Sequence, residues 1–251
     1  MKFIIGFFMA WGNFITLPCP LRRWDNRLKN MMLAFLPSVG AVIGLLWMGL
    51  FWLLEALSAP EAVAAFIMEF YIFAICGFMH LDGFMDCSDA ILSRRPLEDR
   101  QRILKDSNVG AFAVVSVVFL LLAWFAAMGE AIPSLNGAEL LLIPVISRAA
   151  AGLHILTCKP IGHSQYAEDA AEPGRWKYRA AVLGQIFLIG APVLLWAEAP
   201  LAALLAAALT GIGVFAACAY GRKQLGGMSG DIAGYAICLG ETAGIMTLAV
   251  I

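Results

Sequence analysis

The chain contains few charged residues, and they are unevenly distributed. Of its 251 residues, 14% are Asp, Glu, Lys or Arg, while 61% are hydrophobic. A soluble globular domain ordinarily carries about a quarter charged residues. Here long uncharged stretches alternate with short charged ones. This pattern is typical of a bundle of membrane-spanning helices and argues against an ordinary water-soluble enzyme.

The usual patterns of cysteine and histidine ligands are also missing. The six cysteines show no CxxC spacing, and there are only three histidines. Neither a disulfide framework nor a zinc site is therefore indicated. Cys76, Cys218 and Cys238 fall inside apolar runs, where cysteine behaves as a small hydrophobic residue.

Long apolar runs are the most abundant feature of the chain. A spanning helix needs about 20 mostly apolar residues. Segments of this kind are predicted near 34–57, 62–79, 110–128, 139–158, 180–197, 200–220 and 233–251. The shorter apolar segment 3–16 is expected to form an interfacial or re-entrant helix. The prediction is an all-α, polytopic membrane helix bundle with about seven transmembrane helices, in a single integral membrane domain over residues 1–251.

Lys and Arg are confined to alternate connections between the predicted spans. The connections near 58–61, 129–138 and 198–199 contain neither residue. Basic loops of multi-pass proteins face the cytoplasm, which predicts a multi-pass protein of the bacterial cytoplasmic (inner) membrane. The basic connections contain Arg22, Arg23, Arg27 and Lys29; Arg94, Arg95, Arg100, Arg102 and Lys105; Lys159, Arg175, Lys177 and Arg179; and Arg222 and Lys223.

The stretch HLDGFMDCSDA gives the strongest chemical signal. In a helix, Asp82, Asp86 and Asp89 have i, i+4, i+7 spacing and share one face. An Asp costs about 2.5–3.5 kcal/mol at the centre of a spanning helix, and less near its ends. A divalent cation explains the grouping, because Mg²⁺ prefers carboxylate oxygens and commonly binds a substrate phosphate as well. The alternative is a solvated acidic turn balanced by Arg94 and Arg95.

Several residues in and near this stretch have more than one interpretation. Gly83 permits the close approach of a phosphate or helix, or is a packing glycine. His80 is a general base, a partner of the acidic residues, or a polar anchor at a helix end. In the next polar segment, Asp106 is a candidate fourth metal ligand and Lys105 a phosphate contact, while Ser107 or Asn108 would cap the following helix.

Two further motifs place polar groups in predicted spans. Ser147 and Arg148 lie mid-span, where Arg needs a polar cavity or a partner. Because its guanidinium suits phosphate, a substrate role is favoured over a structural ion pair. The stretch GGMSGD, with Gly230 and Asp231, opens the last span and offers backbone N–H groups to an anion. Asp231 would alternatively cap that helix, and Glu241 lies about halfway along it.

The motifs HLDGFMDCSDA, LKDSNVGAF, ISRAAAG and GGMSGDIAG, with Glu241 downstream, resemble in order and spacing the cobalamin-5'-phosphate synthase family. Its members are also called adenosylcobinamide-GDP ribazoletransferases. The resemblance extends over essentially the whole chain, and its Asp-rich and SGD stretches are the specific parts.

The resemblance implies a membrane-bound, Mg²⁺-dependent transferase of cobalamin biosynthesis. Its substrates would be adenosylcobinamide-GDP and α-ribazole or α-ribazole 5'-phosphate, and GMP would leave. By position, Asp82, Asp86 and Asp89 would bind the metal, and Asp106, Arg148 and Asp231 also fall on shared motif positions.

Two other functions stay open at this point. Lipid phosphotransferases of the CDP-alcohol type also place Asp-rich segments at a cytoplasmic membrane face. In a transporter, Asp82, Arg148 and Glu241 would form an ion path.

Membrane lipid is an expected partner and nucleic acid is not. Small-residue stretches such as Ala149–Gly152 and Gly211–Gly213 permit close helix packing, and with it a homo-oligomer.

Overall fold

The computed structural model describes residues 1–162 and 174–251, and within these ranges the secondary structure is helical, with no strand. Two short 3-10 turns, Asn26–Leu28 and Ile132–Ser134, accompany the α-helices. The helices are α1 (Lys2–Phe14), α2 (Lys29–Ala34), α3 (Leu36–Ala56), α4 (Glu61–Ala74), α5 (Met79–Leu92), α6 (Leu97–Ile103), α7 (Ala111–Ala131), α8 (Ala138–Thr157), α9 (Trp176–Trp196), α10 (Pro200–Leu225) and α11 (Gly230–Leu248). The predicted all-α fold is confirmed.

Five helices are long and apolar enough to cross a membrane, and the described residues offer a sixth span if α4 and α5 are counted together. The five are α3, α7 with its following 3-10 turn, α8, α9 and α10. The expected number of seven is thus not confirmed. The last helix, α11, has 19 residues but carries Asp231 and Glu241, which lower its hydropathy. The first helix, α1, has 13 residues and is too short to span.

The predicted span 62–79 is broken. Its helix α4 ends at Ala74, and α5 continues at an angle of 83° to it. Gly77 and Phe78 both have φ near +60°, which an α-helix does not allow. Thr16 stabilises the break, because its backbone N–H and its hydroxyl donate to the carbonyl of Ile75 at 2.9 and 3.1 Å. This carbonyl is one of those that a helix C-terminus leaves without an intrahelical partner.

The basic connections gather at one end of the bundle. Gln101 of α6 donates to the carbonyl of Leu225 at the end of α10 (2.8 Å). The N–H of Met228 donates to the carbonyl of Lys159, after α8 (2.9 Å). This end, called the basic end below, includes residues 93–110, 159–162 and 222–230. At the opposite end, Trp52 of α3 lies against Trp196 of α9, and the connections there contain no Lys or Arg.

Glycines allow the closest helix contacts. A Cβ atom added to Gly40 of α3 would lie 2.8 Å from the Cα of Val145 in α8, and one on Gly44 would lie 2.7 Å from the Cα of Leu141. This G-x-x-x-G spacing brings two backbones together, as in membrane helix pairs generally. Likewise, a Cβ on Gly213 of α10 would lie 2.9 Å from the Cα of Gly240 in α11. Gly213 therefore serves a contact within the chain.

The α3–α8 contact predicts different effects for two glycines of the same helix. We expect Gly40→Ala to lower the free energy of unfolding by about 1–3 kcal/mol, because the new methyl group meets backbone atoms that cannot move independently. Gly49→Ala is the control, since a Cβ there meets nothing within 4 Å. Thermal unfolding in detergent measures both, and equal stability of the two variants would contradict the packing.

Candidate active site

The three aspartates of the Asp-rich stretch lie on α5, at the basic end. Asp82, in the first turn, is exposed, whereas Asp86 and Asp89 are half-buried. The Asp86 carboxylate is within electrostatic reach of Asp82 and Asp89, and also of Asp231 at the start of α11. These four residues are called the acidic site below. The structure thus joins the Asp-rich motif to the GGMSGD motif.

A close crossing of α5 and α11 positions Asp231. A Cβ on Gly83 would lie 2.8 Å from the carbonyl oxygen of Asp231, and a Cβ on Gly234 would lie 3.1 Å from the Cα of His80. Of the readings for Gly83, the structure therefore shows helix packing. Ser229 caps α11 by accepting from the N–H of Ile232 at 3.2 Å.

The expected capping role of Asp231 is wrong, because Ser229 occupies the N-cap position of α11. Ser229 also donates its hydroxyl to the Asp231 carboxylate at 3.2 Å. The neighbouring Gly230 is the first residue of the helix. The side chain of Asp231 is therefore held beside the helix start without being the cap itself.

Asp89 binds the start of α7. Its carboxylate accepts from the backbone N–H groups of Gly110 (2.5 Å) and Ala113 (3.0 Å). Two amides that the helix cannot pair internally are satisfied in this way. The expected capping by Ser107 or Asn108 is wrong, because α7 begins later, at Ala111, and its cap comes from α5. A metal-binding role for Asp89 stays a prediction.

Asp106 lies across a cavity of about 330 Å³ that Asp89 and Arg95 also line. The carboxylate of Asp106 is exposed and accepts from the backbone N–H (3.0 Å) and the side-chain amide (2.7 Å) of Asn108. These hydrogen bonds hold the pKa of the Asp106 carboxyl below its usual value. Lys105 is exposed and adds a cation at the same end.

The remaining predicted site residues form a separate, buried polar group. Arg148 of α8 makes an ion pair with Glu241 of α11, and both side chains are almost fully buried (2% and 3% exposed). Ser147 donates to Glu241 at 2.7 Å. Arg148 also donates to the Sγ atom of Cys76 at 3.4 Å. His80 is buried as well, and it is close enough to Arg148 to be affected by its charge.

Sequence reasoning did not identify two of these contacts. Cys76 was expected to be a simple apolar residue, but it is a partner of Arg148, 72 positions away. The backbone amides that bind Asp89 are 21 and 24 positions away. Neither pairing has a local sequence signal.

Magnesium binding at the acidic site stays a prediction, and the carboxylates there are of the kind that Mg²⁺ prefers. Among residues 1–162 and 174–251, no three His, Cys, Asp or Glu side chains are grouped tightly enough to form a complete metal cage. Mg²⁺ does not require one, since it usually keeps several waters and binds one or two carboxylates together with substrate phosphates. The adjacent carboxylates of Asp82 and Asp86, near Asp231, provide oxygen donors of this kind.

These features define a polytopic helical membrane protein with an acidic site at one end of its bundle. The family model described as "Cobalamin-5-phosphate synthase" matches residues 6–249. The chain therefore belongs to the cobalamin-5-phosphate synthase family, and the recognition of that family from sequence motifs is confirmed.

Curated relatives in several bacteria carry one name, adenosylcobinamide-GDP ribazoletransferase. The protein of Clostridium perfringens (strain 13) is 38% identical, over 97% of this chain and 96% of its own length. That of Clostridium botulinum (strain Alaska E43) is 30% identical, over 96% of both. That of Geobacillus kaustophilus is 32% identical, over 94% and 92%. These names confirm the expected enzyme class. No solved structure matches the chain.

The two aspartates of α5 that differ most in their contacts should also differ in their effect on stability. We expect Asp89→Ala to lower the free energy of unfolding by about 1–2 kcal/mol, because two amides of α7 lose their acceptor. Asp82→Ala should leave stability unchanged, since Asp82 is exposed and its removal relieves repulsion on Asp86. Thermal unfolding without added metal measures both, and a larger loss in Asp82→Ala would refute this division.

The buried ion pair makes a prediction of its own. Arg148→Met should lower the free energy of unfolding by about 3–5 kcal/mol, because it leaves the Glu241 carboxylate buried without its charged partner. The double variant Arg148→Met, Glu241→Met should recover most of that loss, since apolar residues often replace a buried pair without penalty. Denaturant unfolding gives the coupling between the two sites. Additive losses would mean that the two side chains do not depend on each other.

Proposed function

We propose that this protein transfers the cobinamide-phosphate group of adenosylcobinamide-GDP to α-ribazole or α-ribazole 5'-phosphate. GMP leaves, and adenosylcobalamin or its 5'-phosphate is formed. The observation that carries this proposal is the acidic site, in which the Asp-rich motif and the GGMSGD motif come together. The names of the relatives support the choice of substrates.

The reaction is a phosphoryl-group transfer. An oxygen of a ribose hydroxyl on the acceptor forms a bond to the phosphorus attached to cobinamide. The bond from that phosphorus to the oxygen of GMP breaks, and the proton of the hydroxyl passes to a base. Asp82 is better placed than His80 to receive it, because Asp82 is exposed at the acidic site and His80 is buried.

Asp82 and Asp86, with Asp231 beside them, would hold Mg²⁺, which when bound neutralises negative charge on the diphosphate. Asp89 fixes the start of α7 against α5, and thereby the segment that carries Lys105 and Asp106. Lys105 is an exposed cation that can approach a phosphate.

Our assignment for Arg148 is positioning, through its ion pair with Glu241, because a direct phosphate contact would require this buried pair to separate. Ser147 also hydrogen bonds to Glu241. The three residues together fix α8 against α11, the helix that begins with Asp231. In this proposal their contacts, which are buried in the bundle, hold α11 and with it Asp231 of the acidic site in position.

The acidic site would face the cytoplasm of the inner membrane. The support is the concentration of Lys and Arg at the basic end, where α6 packs on the end of α10. This side is also where soluble nucleotide-linked substrates are available.

A turnover assay tests the proposal. Protein in detergent or liposomes is supplied with adenosylcobinamide-GDP and α-ribazole 5'-phosphate, and the release of GMP and the corrinoid product are followed. We expect Asp82→Asn to reduce kcat by at least about 100-fold, because a carboxylate that holds the metal and receives the proton is lost. Removal of Mg²⁺ by chelation should stop turnover, and its return should restore it.

The matched control is Asp99→Asn, which removes a partly exposed carboxylate of α6 at the same end; its ion pair within the described part of the chain is with exposed Arg102. It should leave kcat within about twofold of wild type. Normal activity of folded Asp82→Asn would refute the role of the acidic site. Turnover of a CDP-linked lipid in place of the corrinoid would favour the lipid phosphotransferase, and transport without chemistry would favour the transporter.

A further inference from the structure

A sizeable cavity lies outside the acidic site, beside the bend that leads into α5. Its volume is about 650 Å³, and it lies between α1, the segment 15–24 and the bend between α4 and α5. Cavities of this size hold ligands as large as a nucleotide. Its lining includes Cys76, which lies three positions before the start of α5 and receives a hydrogen bond from Arg148.

Hydrogen bonds fix the walls of this cavity. Trp11 of α1 donates its indole N–H to the carbonyl of Leu17 at 3.3 Å. The thiol of Cys19 donates to the carbonyl of Phe8, which is also in α1, at 3.4 Å. Thr16 connects the wall to the bend through its two hydrogen bonds to Ile75. The segment that forms the wall is therefore held by contacts within the protein, which lowers the entropic cost of ordering it on binding.

The lining combines an apolar interior with a basic rim. Aromatic rings of Phe8, Phe14 and Trp24 contribute to it, and the lining contains no Asp or Glu. Arg22 and Arg23 also line the cavity and are exposed, and neither forms an ion pair within residues 1–162 and 174–251. Arginine pairs with phosphate through several hydrogen bonds at once. The matching ligand has a flat, apolar ring system and a phosphate.

We infer that this cavity is the acceptor subsite, which binds an aromatic riboside through its base and anchors its phosphate on Arg22 and Arg23. The inference rests on the proposed function and deepens it. Asp82 lies in the first turn of α5, directly after the bend that the cavity touches. The cavity thus adjoins the segment that leads into the acidic site, and in this inference the ribose hydroxyl of a bound riboside faces Asp82.

The guanosine half of the donor has related chemistry but fits this lining less well. Guanine carries N–H donors that need acceptors, and besides Asn13 and Thr16 the lining offers mainly apolar side chains and no carboxylate to accept them. The base of α-ribazole has no exocyclic amino or carbonyl group, so an apolar, aromatic lining satisfies it. The corrinoid half of the donor is too large for the cavity. These points favour the acceptor as the occupant.

Direct binding measurements test this assignment. The probes are α-ribazole 5'-phosphate, α-ribazole and GDP, titrated against the full-length protein in nanodiscs. For the double variant Arg22→Gln, Arg23→Gln, we expect the Kd of α-ribazole 5'-phosphate to rise about tenfold or more, because charged hydrogen bonds to the phosphate are lost. The Kd of α-ribazole and that of GDP should change less than about twofold.

Two further variants separate the contributions of charge and position. Arg22→Lys, Arg23→Lys keeps both charges and should recover part of the affinity. Arg27→Gln removes an exposed arginine that follows this segment and does not line the cavity, and it should leave all three Kd values unchanged. In turnover assays, the KM of the acceptor should rise in the Gln double variant, and the KM of adenosylcobinamide-GDP should not.

Several results would overturn the inference. A loss of GDP affinity or a raised donor KM would place the guanine nucleotide in the cavity. Unchanged values for all probes, together with altered dependence on phosphatidylglycerol, would assign the cavity to a lipid phosphate, and unchanged values alone would remove any phosphate role. Failure of wild type to bind α-ribazole 5'-phosphate would also refute it. Wild type that binds without turnover would leave the cavity standing and refute only the proposed function.

Discussion

The acidic site depends on how closely α5 and α11 approach each other. Four carboxylates repel one another, so the approach needs support from other contacts. Gly83 and Gly234 remove the side chains that would hold the two backbones apart. The rings of Phe84 and Tyr235 then stack across the same interface, 5.6 Å between centroids. Packing energy of this kind offsets a repulsion that a bound cation would remove.

A second constraint acts deeper in the bundle, where the ion pair of Arg148 and Glu241 connects α8 with α11. A buried pair adds little net stability, since desolvation of both charges opposes their attraction. It does fix geometry, because either charge alone would be strongly unfavourable there. The contact of Arg148 with Cys76 extends this constraint to the bend before α5. The two helices that carry the acidic site are therefore positioned from one buried cation.

Local sequence patterns were sufficient for features that depend on helical periodicity. The i, i+4, i+7 spacing placed Asp82, Asp86 and Asp89 correctly on one helix, and the mid-helix position of Arg148 correctly indicated a need for a partner. The identity of that partner was not predictable, because Glu241 lies 93 positions away and several acids were available.

The break at residues 75–78 was missed for a similar reason. Apolar residues continue through the break, and Gly77 is its only glycine. The composition therefore predicts one uninterrupted spanning helix over residues 62–79. What stabilises the break is Thr16, 59 positions earlier, whose hydrogen bonds to Ile75 replace those of a continuing helix. The capping of α7 by Asp89 was likewise hidden, since nearer polar residues offered a plausible local cap. The ion pair of Arg148, the break at residues 75–78 and the capping of α7 thus all depend on partners distant in the sequence.

The bend explains how an acidic helix can follow directly on an apolar one. A straight helix from Glu61 to Leu92 would be about 48 Å long, well beyond the roughly 30 Å of a bilayer core. Its acidic turns would stand in water, apart from the other helices. The 83° turn instead lays α5 across the basic end, where the starts of α7 and α11 reach it. Those two helix starts direct backbone N–H groups toward the same region, and their positive dipole ends favour carboxylates and phosphates there. The break that the hydropathy pattern conceals is thus what allows distant parts of the chain to form one site.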